Sequence, residues 1–269
     1  MAGLGARLYP ITKIVPKQLL PILNRPVLEY VLIELMRGGI EKIICVISQS
    51  DQLIKQYMST VFIPTMMKIN KDFCSHIEVN FVEQKKPQGL ADAILQAEKL
   101  VGQQAFVIAL PDIIFNPEKK IDLISMLTEF SKRGEQWVGV SPITKKEISN
   151  YGIVQCDTGY PAIITGIVEK PPIEKAFSNL GVIGRYIFTP KIFDFIKNVK
   201  VNHTGEKNLT NAISELILHE KVYAHIYTAP HYDCGRVDGY LNAILHIAFQ
   251  KSNLHSIIKS FQLKNKFKP

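Results

Sequence analysis

Two aspartates in this sequence stand where a reaction could be organised. Asp112 follows the apolar run Ala105 to Leu110 and a proline, so its carboxylate would stand at the end of a buried strand. Asp233 precedes Cys234-Gly235, between a strand-like and a helix-like segment. In open α/β sheets, ligands collect beyond the carboxyl ends of strands. Two carboxylates brought together from distant sequence could share a hard cation, and Mg2+ bound to phosphates takes only one or two protein carboxylates. Plainer roles exist: Asp112 could start a turn and Asp233 could cap a helix. Spacing alone favours the plainer pair.

Gly3-Leu4-Gly5-Ala6-Arg7 offers a second kind of chemistry. Backbone amides exposed by glycines can cradle phosphates, and an arginine adds charge-assisted bonds. The segment lacks the Gly-Lys-Ser/Thr of a Walker loop and the third glycine of a dinucleotide fingerprint. Taken alone, a plain turn explains it as well. Lys17 lies ten residues on, between Pro16 and Leu19-Leu20-Pro21. No Ser-His-Asp or Cys-His set stands out. The seven histidines have no metal-ligand spacing, and His203, His225 and His231 read as surface or strand residues. Cys45, Cys74, Cys156 and Cys234 form no Cys-x-x-Cys pair and read as free thiols.

The elements that must position these residues alternate in type. Helical periodicity spans Pro26 to Arg37, Asp51 to Thr60, Leu90 to Leu100 and Ile121 to Lys132. Between them, Lys42 to Ser48, Glu78 to Glu83, Ala105 to Leu110 and Trp137 to Val140 read as strands. This rhythm predicts a doubly wound, mostly parallel sheet. After Tyr151 strands crowd together at Ile153 to Cys156, Ala162 to Val168 and Val182 to Phe188. Helices return at Lys191 to Asn198 and Leu209 to Leu218, then a strand at Val222 to Tyr227 and a helix at Val237 to Phe249. No Gly/Ser- or Pro-rich linker divides the 269 residues. The expectation is one domain over 1–269, with one lobe to about 140 and a β-rich lobe plus C-terminal helices from about 141. The lysine-rich stretch Lys259 to Pro269 reads as a solvated tail.

With 46% hydrophobic and 21% charged residues, disorder is excluded as the main state. No apolar run reaches the ~18–20 residues of a membrane span, and Met1 to Pro10 lack the order of a signal peptide. A cytoplasmic location, with no membrane partner, is expected. The net charge of +8 suits an anionic partner or a mildly basic surface. No aromatic-plus-basic repeat of a nucleic-acid reader appears.

Taken in order, the segments resemble the sugar-1-phosphate nucleotidyltransferases. That family opens with Ala-x-Gly-x-Gly-Thr-Arg-Leu-x-Pro and a Lys-Glu/Gln-Leu-Leu-Pro box. Here Ala2 to Pro10 and Lys17 to Pro21 correspond. Further matches are Pro87 to Ala93, Leu110-Pro111-Asp112, Tyr151 to Val154, Val168 to Pro171 and Ser178 to Tyr186. Gly205-Glu206, Leu209 to Ile213 and Asp233-Cys234-Gly235 complete a series running from residue 2 to about 250.

The resemblance implies a Rossmann-like fold and a set of roles. Ala2, Gly3, Gly5 and Arg7 would hold a triphosphate, and Lys17 would neutralise the phosphates in transfer. Gln84 and Gly89 match positions that meet a pyrimidine base. Asp112 and Asp233 match the pair that binds Mg2+. Gly152 and Glu169 match sugar-hydroxyl contacts, and Lys170 the lysine that holds the sugar phosphate. The implied substrates are UTP and glucose 1-phosphate, with dTTP the alternative nucleotide. A homo-oligomer, dimer or tetramer, is implied as well.

Two departures set further expectations. Ala6 replaces the usual threonine, removing a hydroxyl bond to phosphate worth about 1.5–3 kcal/mol. The family's glycine loop is fed by a short apolar strand, and Met1 stands where that strand should be ending. Either the true start lies upstream or the sheet lacks the family's usual first strand, and a binding-only relative is the rival to an active enzyme.

Overall fold

The computed structural model describes residues 6–48, 51–69, 76–116, 122–202 and 205–265. Twelve strands are defined among them: β1 (Pro21–Ile22), β2 (Arg25–Pro26), β3 (Lys42–Ser48), β4 (Glu78–Gln84), β5 (Phe106–Ala109), β6 (Ile113–Phe115), β7 (Gln136–Pro142), β8 (Gly152–Cys156), β9 (Ile164–Glu169), β10 (Leu180–Phe188), β11 (Val222–Ile226) and β12 (His231–Asp233). The helices are α1 (Val27–Arg37), α2 (Gln52–Tyr57), α3 (Ile63–Ile69), α4 (Leu90–Gln96), α5 (Glu98–Val101), α6 (Asp122–Arg133), α7 (Ile192–Asn198), α8 (Leu209–Leu216), α9 (Val237–Gln250) and α10 (His255–Asn265). No described helix is long and apolar enough to cross a membrane.

Local chemistry explains most boundaries. Pro26 precedes α1 with its φ already near the helical value, and Val27, Leu28, Val31, Leu32, Leu35 and Met36 bury one broad face. The helix stops at Gly38-Gly39, where the Ile40 amide bonds back to Leu35 O at 3.1 Å. The helix expected to end at Thr60 instead continues through a π-type turn, Met58–Phe62, into α3. Pro64 closely follows that π-type turn, and its missing N–H removes one bond from the continuing helix. The expected solvated tail is helical through His255–Asn265, with Lys259 and Phe261 exposed. Lys266 and Lys268 lie outside the described residues.

A six-stranded sheet forms the centre, with β10 bonded antiparallel to β5, β7 and β8. Strand β11 adds parallel to β7, and β9 adds antiparallel to β8. The sheet is mixed, and of its described pairs only β11–β7 is parallel, which corrects the mostly parallel arrangement that the helix–strand rhythm predicts. The reason lies in β10, which reverses direction among its neighbours. Val138, Val140, Val154 and Phe188 build the main core against Phe193 of α7 and Leu216 of α8.

Strands β3 and β4 form a separate parallel pair in register from Lys42↔Glu78 to Ser48↔Gln84. Among the described residues no strand joins β3 to β5. An apolar cavity of about 430 Å³ lies there instead, lined by Leu28 and Leu32 of α1, Ile44 of β3, Ala93 of α4 and Phe106 and Ile108 of β5.

Candidate active site

Asp112 and Asp233 meet through two strands too short to read from sequence. The chain leaves β5, turns at Leu110–Ile113 (Ile113 N–H to Leu110 O, 3.4 Å) and enters β6. Strand β12 pairs antiparallel with β6 and sets Asp233 opposite Ile113. The Cys234 amide then donates to Asp112 O at 2.8 Å. Both aspartates thereby sit at the carboxyl ends of strands.

Gly235 marks the point where the charged side chains converge. A Cβ placed there would lie 2.9 Å from Asp112 Oδ2, 3.0 Å from Asp233 Oδ1 and 3.6 Å from Lys17 Nζ. A hydrogen atom at that position leaves the space open, and it is small, anionic and faced by one lysine. Lys17 Nζ donates to Asp112 Oδ2 in a largely buried ion pair. Burial raises the Asp233 carboxyl above the ordinary range, and the neighbouring Asp112 carboxylate raises it further. The Gly235 amide, Lys17 and Arg7 pull it back down. Two carboxylates crowded in this way gain from a shared cation, and their oxygens are the donors Mg2+ takes. No cluster of three or more His, Cys, Asp or Glu suited to a metal occurs among the described residues.

The plainer role of Asp233 fails. The residue before α9 is Arg236, which makes no side-chain cap bond, and the Asp233 carboxylate instead accepts from the Gly235 amide at 2.9 Å. Asp112 does sit in a turn, with its carboxylate turned to Lys17.

A second group lies at the end of β4. Gln84 is buried, and its Nε2 donates to Gly89 O at 3.2 Å and Asp92 Oδ2 at 2.6 Å. Gly89 has φ +93°, and a Cβ there would come within 2.6 Å of Lys207 O. Only glycine fits that conformation and that approach. Backbone bonds from Lys207 N–H to Gln88 O (2.7 Å) and Ala91 N–H to Lys207 O (3.1 Å) hold the turn closed.

The third group joins β8 and β9, where Gly152 pairs with Glu169. Glu169 accepts from Thr210 Oγ1 at 2.6 Å and pairs with Lys170 Nζ at 3.1 Å. Lys170 adopts φ +43°, and its amide bonds to Tyr151 O at 3.1 Å. Residues 207–210 touch both this group and the Gln84–Gly89 turn, so one segment links them.

Arg7 is exposed and acts on the Asp233 carboxyl through its charge. Ala2, Gly3 and Gly5 lie outside the described residues, as do Cys74 and His203. Cys45, Cys156 and Cys234 carry free thiols. Burial pushes the Cys156 thiol up to about 11 and that of Cys45 up to about 12. His225 and His231 sit in or beside strands, as expected. Sequence reasoning missed the contact of Thr210 with Glu169, although both lie in matched boxes. It also gave no role to Arg185, which is fully buried beneath the Asp112 turn.

A Rossmann-like mixed sheet with charged groups gathered at its strand ends defines a nucleotide-transferring enzyme class. The chain belongs to the nucleotidyl transferase family, whose model matches residues 1–250. The UTP–glucose-1-phosphate uridylyltransferase of Haemophilus influenzae is 33% identical over 285 residues, covering 98% of this chain and 96% of the relative. The Bacillus subtilis enzyme of the same name is 31% identical over 274 residues, covering 97% and 93%. A solved UDP-glucose pyrophosphorylase complexed with UDP-glucose matches with a TM-score of 0.85 at 30% identity, covering 93% of this chain and 97% of that one. A UTP-bound enzyme of this kind from Acinetobacter baumannii matches at 0.84 and 32% identity, covering 97% and 96%.

Proposed function

We propose that this chain transfers a uridylyl group from UTP to glucose 1-phosphate, giving UDP-glucose and pyrophosphate. The observation that carries the reading is the convergence of Asp112, Asp233 and Lys17 on one open point beside Gly235. The near full-length kinship to enzymes of that name supports the choice of substrates.

In the reaction, a phosphate oxygen of the sugar phosphate forms a bond to the α-phosphorus of UTP. The bridging P–O bond opposite breaks, and pyrophosphate leaves with the electron pair. No protein nucleophile is needed, so positioning and charge neutralisation supply the rate. Lys17 and Arg7, with the loop amides of Ala2, Gly3 and Gly5, bind the triphosphate. Gln84 and Gly89 orient the base, Gly152 and Glu169 the sugar hydroxyls, and Lys170 the sugar phosphate. Asp112 and Asp233 would hold Mg2+, which when bound supplies neutralising charge to the phosphates.

The same reading places nucleotide binding in a lobe to about residue 140 and sugar-phosphate binding in the rest of one domain. It places the enzyme with its soluble substrates in the cytoplasm. A homo-oligomer is supported by the exposed apolar stripe Val237, Leu241, Leu245 and Phe249 along α9. Leu241→Glu with Leu245→Glu should lower the mass seen by sedimentation, and a monomeric parent removes that part of the reading.

A second reading, binding without turnover, is favoured by the open cavity between β3 and β5. The deciding assay follows Mg2+-dependent pyrophosphate release with UTP or dTTP across a panel of sugar phosphates. Release with UTP and glucose 1-phosphate is expected. Nucleotide binding with no release from either nucleotide would establish the second reading instead.

A further inference from the structure

Below the paired aspartates lies a charged group to which the proposed reaction gives no task. Arg185 is wholly buried in β10, and all five of its N–H groups have partners. Nε and Nη2 reach Glu34 Oε1 and Oε2 at 3.1 and 2.7 Å, a bidentate pair with α1. Nη2 also donates to Ile113 O at 2.8 Å, while Nη1 donates to Leu110 O at 3.2 Å and Gly184 O at 3.1 Å. Its guanidinium carbon lies 5.0 Å from the Phe115 ring centroid.

The carbonyls of Leu110 and Ile113 bracket Pro111-Asp112. One rigid guanidinium therefore grips the turn that presents Asp112 from both sides. A lysine has neither the five donors nor the fixed fork needed for this. The backbone makes room for it: the β10–β7 register shifts between Val182 and Tyr186, a bulge of the kind that re-aims a side chain. A buried ion pair is weak evidence for stability alone, since apolar residues of like volume serve a core at least as well.

We infer that Arg185, held by Glu34, is a positioning residue that fixes the Asp112 carboxylate for the divalent cation. The inference rests on the proposed metal role of Asp112. Groups that orient metal ligands from behind typically change affinity by about 10- to 100-fold when removed.

The test is Mn2+ binding to the full chain, followed by electron paramagnetic resonance, with melting temperature and amide exchange as fold controls. Four variants are compared with the parent: Asp112→Asn, Arg185→Lys, Glu34→Gln, and the paired Arg185→Met with Glu34→Leu. The paired change leaves no orphan charge in the core, and the single changes remain informative if it does not fold. Support would be loss of Mn2+ binding in Asp112→Asn and roughly 10- to 100-fold weaker binding in the folded Arg185 and Glu34 variants. Amide exchange should also quicken at Ile113 and Cys234 while β8 and β11 stay as protected as before. Folded variants that bind Mn2+ as the parent does, with Asp112→Asn impaired, would reduce Arg185 to a core ion pair and overturn the inference. Equal Mn2+ binding in parent and Asp112→Asn, or equal absence of it, would instead overturn the metal role of Asp112 and the inference with it.

Discussion

The sheet around β10 and the β3–β4 pair carry different parts of the same site, and they are held by different means. Strand β10 is bonded on both sides, to β5 and β8 as well as β7, and its side chains lie in a core with Val138, Val154 and Phe188 fully buried. Strand β3 has β4 as its only described strand partner, with a cavity on its other side. Packing of Leu28, Leu32, Ile54, Met58 and Phe62 secures that pair in place of a continuous ladder. Asp112 and the Glu169 group grow from the first region, and Asp233 ends β12, which pairs with β6 beside it. Gln84 grows from the second and is fastened by the Gly89–Lys207 turn. The charge-handling half of the site thus rests on the β10 sheet and the short β6–β12 pair beside it, and the base-orienting half on side-chain packing and a backbone stitch. Regions with fewer shared backbone bonds open at lower free-energy cost.

The contrast makes unequal demands on substitutions. Asp112→Asn stands on the firm side and should lower pyrophosphate release by at least ~10²-fold while leaving the melting temperature nearly unchanged. Full activity in that variant would remove the distinction in function between the two regions. Gly89→Ala stands on the stitch and forces a side chain against Lys207 O. A cost of about 1–3 kcal/mol should appear as a raised KM for UTP, with the KM for glucose 1-phosphate little changed. Equal rises in both constants would show that the two halves move as one.

A matched pair of alanines sharpens the comparison in stability. Ala212 is fully buried in the packed core, so Ala212→Leu should cost about 1–3 kcal/mol by denaturant unfolding. Ala93 lines the cavity, so Ala93→Leu should stabilise by about 0.5–2 kcal/mol. Loss of stability in both would mean that the cavity walls are as tightly set as the main core.

Much of this frame could be read from residue pattern. The β-branched run Lys42 to Ser48 and the broad apolar face of α1 carry their own periodicity, and both appear where expected. What pattern could not supply was direction and partnership. Nothing in Leu180 to Phe188 marks the strand as antiparallel to three neighbours, because strand sense is fixed by tertiary packing. Ile113–Phe115 and His231–Asp233 are three residues each, too short to show a period, yet their pairing is what joins the two aspartates. The final helix was hidden for another reason: Ile257 and Phe261 sit one turn apart but remain exposed among lysines, so no buried stripe announced it. Arg185 lay inside a matched box, but only the fold shows that its five donors close around the Asp112 turn.

The open cavity beside β3 also decides where the interior meets water. Space that admits water holds it against Ile44, Phe106 and Ile108, which are only half-buried. Apolar surface left in contact with water adds nothing to the hydrophobic driving force, so the β3–β4 side draws less on it than the ladder around β10.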